Sequence, residues 1–330
     1  MCADERQSVR ERRTRMRRLG FIGLGIMGLP MARNLTEKSG LPVLGYDVSQ
    51  ARGELASRSG VAAGSLERIR AECGVIFLSL PKNELVQSTV ENLISSCPGG
   101  TVVVDMSSTS PAVIRPLYAA AKEKDVSLLD SPVSGGESSA VDGTLALMCG
   151  GDKEVFDRVL PLLRTMGKTV TYIGGSGCGC VAKIANNMIV GCNIAALGEA
   201  FCFAKKAGLD LETLFEAIKN GFAGSAVMNA KAPRLITGDF SPSARIAVHQ
   251  KDLKNAAALA KEMNVEIPMS QIVLDYMNQM EKQGRIDEDH CAIASVYEQS
   301  MGIALGRDSC SDSSSDSCSL PYERRSKNLP

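Results

Sequence analysis

The chain has only two histidines in 330 residues, His249 and His290. A histidine-rich zinc site or a Ser-His-Asp triad would have to be assembled from that pair alone, so zinc-hydrolase and serine-hydrolase chemistry are disfavoured. Net charge is also missing: 37 basic residues balance 37 acidic ones. Without a global field, neither nucleic acid nor an anionic membrane is an expected partner. No window reaches about 18 uninterrupted apolar residues. The first residues lack the apolar stretch of a secretory signal. Neither a membrane span nor export is predicted, and the expected location is the cytoplasm, with the mitochondrion as the alternative. The chain has 11 cysteines, but they are mostly scattered singly among apolar neighbours (Cys73, Cys97, Cys149, Cys192, Cys202, Cys291), as buried free thiols are. Cys178-Gly179-Cys180 is too tight for a zinc knuckle, and no second Cys/His pair lies near it in sequence, so no metal is expected.

What is present suits a globular protein of two packed units: 44% of residues are hydrophobic and 22% charged, close to ordinary domain averages. Residues 1–18 carry seven arginines against Asp4, Glu5 and Glu11 and read as a solvated basic arm; a weak mitochondrial transit peptide is the competing reading, opposed by the three acids. Residues 307–330 hold eight serines interleaved with Asp308, Asp312 and Asp316, too little apolar area to offset the entropy of ordering. Between these tails, Leu19–Ile22, Val43–Tyr46, Val75–Leu80, Thr101–Asp105 and Ser127–Leu129 are short, nearly continuous apolar runs alternating with helical stretches. That pattern predicts a parallel α/β sheet buried on both faces over residues 19–180. From Val181 the texture turns to long Ala/Leu/Met/Glu/Lys-rich segments punctuated at Gly208, Gly221, Gly238 and Pro268, which predicts an all-helical domain over 181–306.

After the first predicted strand, Gly23, Leu24, Gly25, Ile26, Met27 and Gly28 give G-x-G-x-x-G spacing, followed by a helical pattern over Leu29–Leu35. In that context Gly23 permits a tight turn, Gly25 lets backbone approach a pyrophosphate, and Gly28 lets the helix pack closely with its free N–H groups toward the anion. Asp47, nineteen residues after Gly28 at the end of the second strand, can accept hydrogen bonds from both adenosine ribose hydroxyls and would repel a 2′-phosphate. NAD is the expected cofactor; Arg52, five residues on, keeps NADP open.

Two further segments carry polar groups where open α/β sheets bind ligands. Asp130-Ser131-Pro132-Val133-Ser134-Gly135-Gly136 follows a strand and reads as a flexible turn in which Ser134, Gly135 and Gly136 present a hydroxyl and successive amides to a small carboxylate. An ordinary glycine turn is the competing reading. Lys183, Asn186 and Asn187 share one face of an otherwise apolar helix (Ile184, Ala185, Met188, Ile189, Val190), a polar cluster that a core helix does not carry without partners. Reduction of a carbonyl develops negative charge on oxygen, and with no histidine nearby in sequence a desolvated lysine can supply the proton. A surface lysine with capping asparagines is the bland alternative.

In order and spacing these motifs resemble the β-hydroxyacid dehydrogenase family, which includes 3-hydroxyisobutyrate dehydrogenases and tartronate semialdehyde (2-hydroxy-3-oxopropionate) reductases. The resemblance runs over roughly residues 19–305 and rests on Gly20–Gly28 with Met31–Leu35, Asp130–Leu145, Gly177–Asn187 and Lys251-Asp252-Leu253. Gly136-Glu137 with Ala140–Leu145, Ala223-Gly224-Ser225, Ala230–Pro233, His249-x-Lys251-Asp252-Leu253 and Asp289-His290 look most like the reductase branch. The resemblance implies that Lys183 is the catalytic lysine, that Ser134 and Gly135 hold the substrate carboxylate, and that Asn186 and Asn187 orient substrate oxygens. It also implies that Lys251 reaches the cofactor across the cleft, with Ser108 and the Leu80-Pro81 turn lining the nicotinamide side. Read without the family, Lys251 and His249 are ordinary exposed residues of a helix start. The chain departs from the family pattern at Ser131, at Ser139, in its tails and in the Cys178-Gly179-Cys180 pair, whose closeness to Lys183 predicts sensitivity to oxidation.

The expectation is therefore an NADH-dependent reductase converting 2-hydroxy-3-oxopropanoate to glycerate. 3-Hydroxyisobutyrate, succinate semialdehyde and L-threonate are the neighbouring substrates, and a non-catalytic dinucleotide-binding module is the remote alternative. The long apolar segment Met188–Phe203 exceeds what one solvent-facing helix of a monomer needs and predicts a homodimer or homotetramer.

Overall fold

The computed structural model describes residues 18–306; the basic arm up to residue 17 and the tail 307–330 lie outside the described residues. The five expected strands are all present, as β1 (Leu19–Ile22), β2 (Val43–Tyr46), β4 (Val75–Leu78), β5 (Val102–Asp105) and β6 (Ser127–Asp130). With the short β3 (Ala62–Ala63) they pair parallel in the order β3-β2-β1-β4-β5-β6. Their side chains divide between two cores. Leu19, Phe21, Val75, Phe77, Val102 and Val104 pack on one face, and Ile22, Ile76, Leu78 and Val103 pack on the other. Burial on both faces is why these strands show no polar alternation.

Helices α1 (Gly28–Ser39), α2 (Gln50–Arg58), α3 (Leu66–Glu72), α4 (Asn83–Ser96) and α5 (Pro111–Glu123) connect these strands. Beyond β6 the sheet departs from the expected pattern. β7 (Val133–Ser134) and β8 (Leu145–Gly150) are antiparallel partners, with α6 (Gly136–Asp142) between them; α7 (Lys153–Leu163) then leads to β9 (Gly167–Gly174), which lies parallel to β8. β8 also meets β6 antiparallel, at Asp130 and Gly150. The Asp130–Gly136 segment, expected as a flexible turn, is thus largely ordered: Ser134 ends a strand and Gly136 opens a helix.

The chain then enters α8 (Cys178–Lys206), 29 residues long and so about 43 Å at 1.5 Å per residue. Residue 181 falls in its first turn, so the textural change at Val181 lags the start of the helix by three residues. Its partners are α9 (Leu211–Ile218), α10 (Ala226–Thr237), α11 (Ile246–Glu262), α12 (Pro268–Lys282), a 3-10 turn (His290–Ile293) and α13 (Ala294–Met301), joined around a core that includes Phe201, Leu253, Val273, Met277 and Ile293. By length and composition α8 could cross a membrane, but 50% of its most apolar window is buried inside the fold. It is the central strut of the helical domain, and its first two turns reach back to the sheet.

Candidate active site

The dinucleotide loop is built as its glycines require. Gly23 has φ 92°, a conformation that side chains disfavour, and its N–H donates to the Tyr46 carbonyl at 2.8 Å. A Cβ on Gly28 would stand 1.9 Å from the Gly23 oxygen, whereas a Cβ on Gly25 would meet nothing within 4 Å. Protein packing therefore demands glycine at 23 and 28 but not at 25. A smooth approach there suits a pyrophosphate group above the start of α1. Asp47 accepts the N–H of Leu24 at 2.7 Å and of Ser49 at 2.8 Å, tying β2 to the glycine loop; Val48 beside it is 91% exposed. The residues present fit a dinucleotide.

At the carboxyl ends of the strands, a chain of side chains joins the sheet to the helical domain. Ser134 Oγ donates to Asn186 Oδ1 at 3.5 Å, and Asn186 Nδ2 to Asn187 Oδ1 at 2.8 Å. Asn187 Nδ2 donates to Asp252 Oδ2 on α11. Lys251 Nζ stands 2.9 Å from Asp252 Oδ1, a charge contact without hydrogen-bond alignment, so this buried oxygen has no hydrogen-bond donor. Lys251 donates instead to Ser108, to its carbonyl and, at 3.0 Å, to its hydroxyl. One helical turn along α11, Asn255 accepts from Asn83 at 3.0 Å. Ser107 Oγ accepts the Leu80 N–H at 2.8 Å, joining the two loops expected beside the nicotinamide, while Pro81 is exposed.

Lys183 lies in the second turn of α8. No described residue hydrogen-bonds its Nζ. Burial lowers its pKa below the usual lysine value; Asp252 opposes that shift and Lys251 adds to it. A desolvated ammonium with no hydrogen-bond partner can give up a proton more readily than a surface lysine can, even with the Asp252 carboxylate holding against it.

The sheet region, residues 18–174, matches the model of the NAD binding domain of 6-phosphogluconate dehydrogenase, and residues 177–297 match the NAD-binding region of NADP-dependent 3-hydroxyisobutyrate dehydrogenase. The chain is 36% identical over 293 residues to 2-(hydroxymethyl)glutarate dehydrogenase of Eubacterium barkeri, covering 87% of this chain and 97% of that one. It is 37% identical over 284 residues to 2-hydroxy-3-oxopropionate reductase of Escherichia coli (strain K12), covering 85% and 97%. The chain belongs to the β-hydroxyacid dehydrogenase family. A solved Mycobacterium tuberculosis 3-hydroxyisobutyrate dehydrogenase with L-serine superposes with a TM-score of 0.78 at 29% identity, covering 84% of this chain and 98% of that one. The protein is accordingly an NAD(P)-dependent oxidoreductase acting on CH–OH groups of small hydroxyacids.

Three features of this β-hydroxyacid dehydrogenase were not evident in its sequence. His249 is buried, not exposed, and Lys251 is half-buried, because α11 turns this face into the domain junction. Asp252, quoted only as part of a motif, is the buried carboxylate that both Asn187 and Lys251 meet; an acid directly after a lysine at a helix start reads from sequence as a solvated pair. Cys180 is buried, and burial raises its thiol pKa well above the usual value, so of the Cys178-Gly179-Cys180 pair only the half-buried Cys178 has solvent access.

Proposed function

We propose that the enzyme reduces 2-hydroxy-3-oxopropanoate to glycerate, with NADH as donor. The observation that carries this reading is the continuous polar chain Ser134–Asn186–Asn187–Asp252 running past the desolvated Lys183. A substrate bearing a carboxylate, a hydroxyl and a carbonyl on three carbons has a partner for each oxygen there. Ser134 with the Gly135 and Gly136 amides binds the carboxylate, Asn186 and Asn187 orient the remaining oxygens, and Lys183 delivers a proton to the carbonyl oxygen as charge develops on it. The reduced nicotinamide, when bound, supplies the hydride. Gly23, Leu24, Gly25, Ile26, Met27 and Gly28 hold its pyrophosphate, Asp47 its adenosine ribose, and Leu80, Pro81, Ser108 and Lys251 its nicotinamide side. Asp47 favours NAD over NADP, since a 2′-phosphate would face a carboxylate. The dinucleotide domain is assigned to residues 19–180 and the helical domain to 181–306.

The near alternatives are other small β-hydroxyacids, chiefly 3-hydroxyisobutyrate, in which a methyl replaces a hydroxyl. Where a site is built to hydrogen-bond a substrate hydroxyl, an analogue lacking it is rejected by about 10⁴-fold. NADH and NADPH oxidation with 2-hydroxy-3-oxopropanoate, beside NAD⁺ reduction with glycerate and 3-hydroxyisobutyrate, tests this directly. A higher kcat/KM for 3-hydroxyisobutyrate would overturn the substrate assignment, and preference for NADPH would overturn that of Asp47. Lys183→Ala is expected to lose at least about a hundredfold in kcat while still binding NADH.

Ile189 and Phe203, 63% and 70% exposed on α8, with Ala196 and Ala200 between them on the same face, support assembly as a homodimer or homotetramer through this helix. Light scattering of wild type and Phe203→Glu reads that state. The cytosol is the assigned location, with the mitochondrion as the alternative.

A further inference from the structure

The only two histidines of the chain meet in the interior. His249 Nδ1 lies 2.9 Å from His290 Nδ1, and His249 Nε2 lies 2.9 Å from the backbone carbonyl of Asn187. A carbonyl only accepts, so the hydrogen on His249 sits on Nε2. In the neutral ring Nδ1 is then a lone pair, and the Nδ1···Nδ1 contact requires His290 to carry its hydrogen on Nδ1. His290 Nε2, left as an acceptor, is buried with no partner. The ring of His249 lies against α8 because residue 191 is glycine: a Cβ there would meet Nε2 at 3.3 Å and Cε1 at 3.4 Å.

Behind the pair stands a fixed anchor. Asp289, fully buried, accepts from Lys231 Nζ at 2.9 Å, from the N–H and hydroxyl of Ser243, from the N–H of Ala244 and from the N–H of Cys291. It thereby ties α10, the segment entering α11, and the 3-10 turn that carries His290. In front of the pair, Asn187 closes the helical turn that begins at Lys183, four residues earlier.

We propose that His290 and His249 are positioning residues for the active site: His290 fixes His249 as its Nε2–H tautomer, and His249 holds the α8 turn from which Lys183 and Asn186 project. The proposal rests on the catalytic reading of Lys183 given above. Neither histidine touches the reacting atoms. The pair works as a single-proton contact, which a second proton would break by leaving two N–H groups facing each other. The charged groups around it are Asp289, Lys231 and Arg234 on the His290 side, and Asp252, Lys183 and Lys231 on the His249 side. Burial, first of all, disfavours the charged form of both rings, and holds His290 at about 3.

Because the full chain contains no other histidine, ¹⁵N-histidine labelling reports the two rings without overlap. Long-range ¹H–¹⁵N spectra are expected to show one Nε2–H and one Nδ1–H neutral ring, unchanged from pH 8 to pH 5. His290→Asn, which keeps an N–H near the Nδ1 position, is expected to retain most of kcat. His290→Leu is expected to lose about tenfold or more in kcat, the cost of a misplaced catalytic group, with an unaltered NADH dissociation constant and with His249 in mixed tautomers. Two Nε2–H rings, a ring titrating with a midpoint near 6.5, or a cooperatively folded His290→Leu with wild-type kcat would each overturn the proposal. Should His290→Leu not fold, the wild-type tautomers and the asparagine variant still decide. A wild type inactive on every substrate but with the expected tautomers would sink the catalytic reading while leaving the pairing intact.

Discussion

The carboxylate of Asp130, the last residue of β6, accepts the backbone N–H groups of Gly177 and Cys180, each at 2.8 Å. It caps the start of α8 from a distant point in sequence, satisfying donors that the helix leaves open, and it fixes how the helix bearing Lys183 leaves the sheet. Burial raises the Asp130 pKa and these two hydrogen bonds oppose that shift. Removing the cap leaves two buried donors unmet. Asp130→Ala is expected to lose about 3 kcal/mol of stability, and Asp130→Asn less, since an amide oxygen can still accept one of them. Urea unfolding checks this; an alanine variant as stable as wild type would mean that the cap is redundant.

Asp105, paired in register with Asp130 on the neighbouring strand, is fully buried, and burial raises its pKa to about 6 against hydrogen bonds from Thr109 and Ser107. A carboxyl whose folded pKa exceeds its unfolded value contributes stability that is present at low pH and lost as pH rises through the folded pKa, here between about 4 and 6. His290, held at about 3 by burial, works in the opposite sense, gaining stability as pH rises toward the ordinary imidazole value. The two slopes offset each other in wild type. Asp105→Asn should therefore make stability rise more steeply with pH between 4 and 6 than in wild type. Equal slopes in denaturation series at several pH values would refute the Asp105 shift.

The first half of the sheet was legible because each strand is buried on both faces and reads as an unbroken apolar run, as in Val75–Leu78. β8 and β9 were not. β8 is half-exposed at Ala146 and Met148 and runs into Gly150 and Gly151, and β9 strings Lys168, Thr169, Val170 and Thr171 together with many exposed positions, so neither gives a clean two-sided pattern. Of the residues that the candidate site brings together, Ser134, Asn186 and Lys183 were legible because polar groups in small-residue loops or on apolar helices are conspicuous, whereas Lys251 reads by itself as an exposed helix-start residue and came only with the family resemblance. The residues that connect them, Asp252, His249 and Asp130, were missed for a common reason: their partners lie 47 to 65 residues away in sequence, and no local spacing encodes such a contact.

If Lys183 is the proton donor, its protonation sets the alkaline limit of carbonyl reduction. Burial lowers its pKa, and Asp252 is the group holding it up. The donor form is present below that pKa, so reduction is lost as pH rises through it. Asp252→Asn removes the supporting charge while keeping an acceptor for Asn187. The alkaline limb of kcat for reduction should then move to lower pH, with NADH affinity little changed. A limb that stays in place, or moves to higher pH, would assign the titration to another group.

Gly28 and Gly25 separate packing from binding in the dinucleotide loop. A methyl at 28 would overlap the Gly23 carbonyl, with a contact of 1.9 Å to backbone that has no free end to swing aside. Gly28→Ala must therefore displace α1 or the loop, at about 1–3 kcal/mol of stability, and should weaken NADH binding as a consequence. A methyl at 25 meets nothing within 4 Å, and the residue has no positive φ to relieve. Gly25→Ala should leave stability within about 0.5 kcal/mol of wild type and yet weaken NADH at least as strongly, because the methyl stands where the pyrophosphate must approach the backbone. Thermal unfolding without cofactor, set beside fluorescence titration with NADH, distinguishes the two substitutions. Full NADH affinity in Gly25→Ala would place the pyrophosphate elsewhere and remove this loop from the cofactor site.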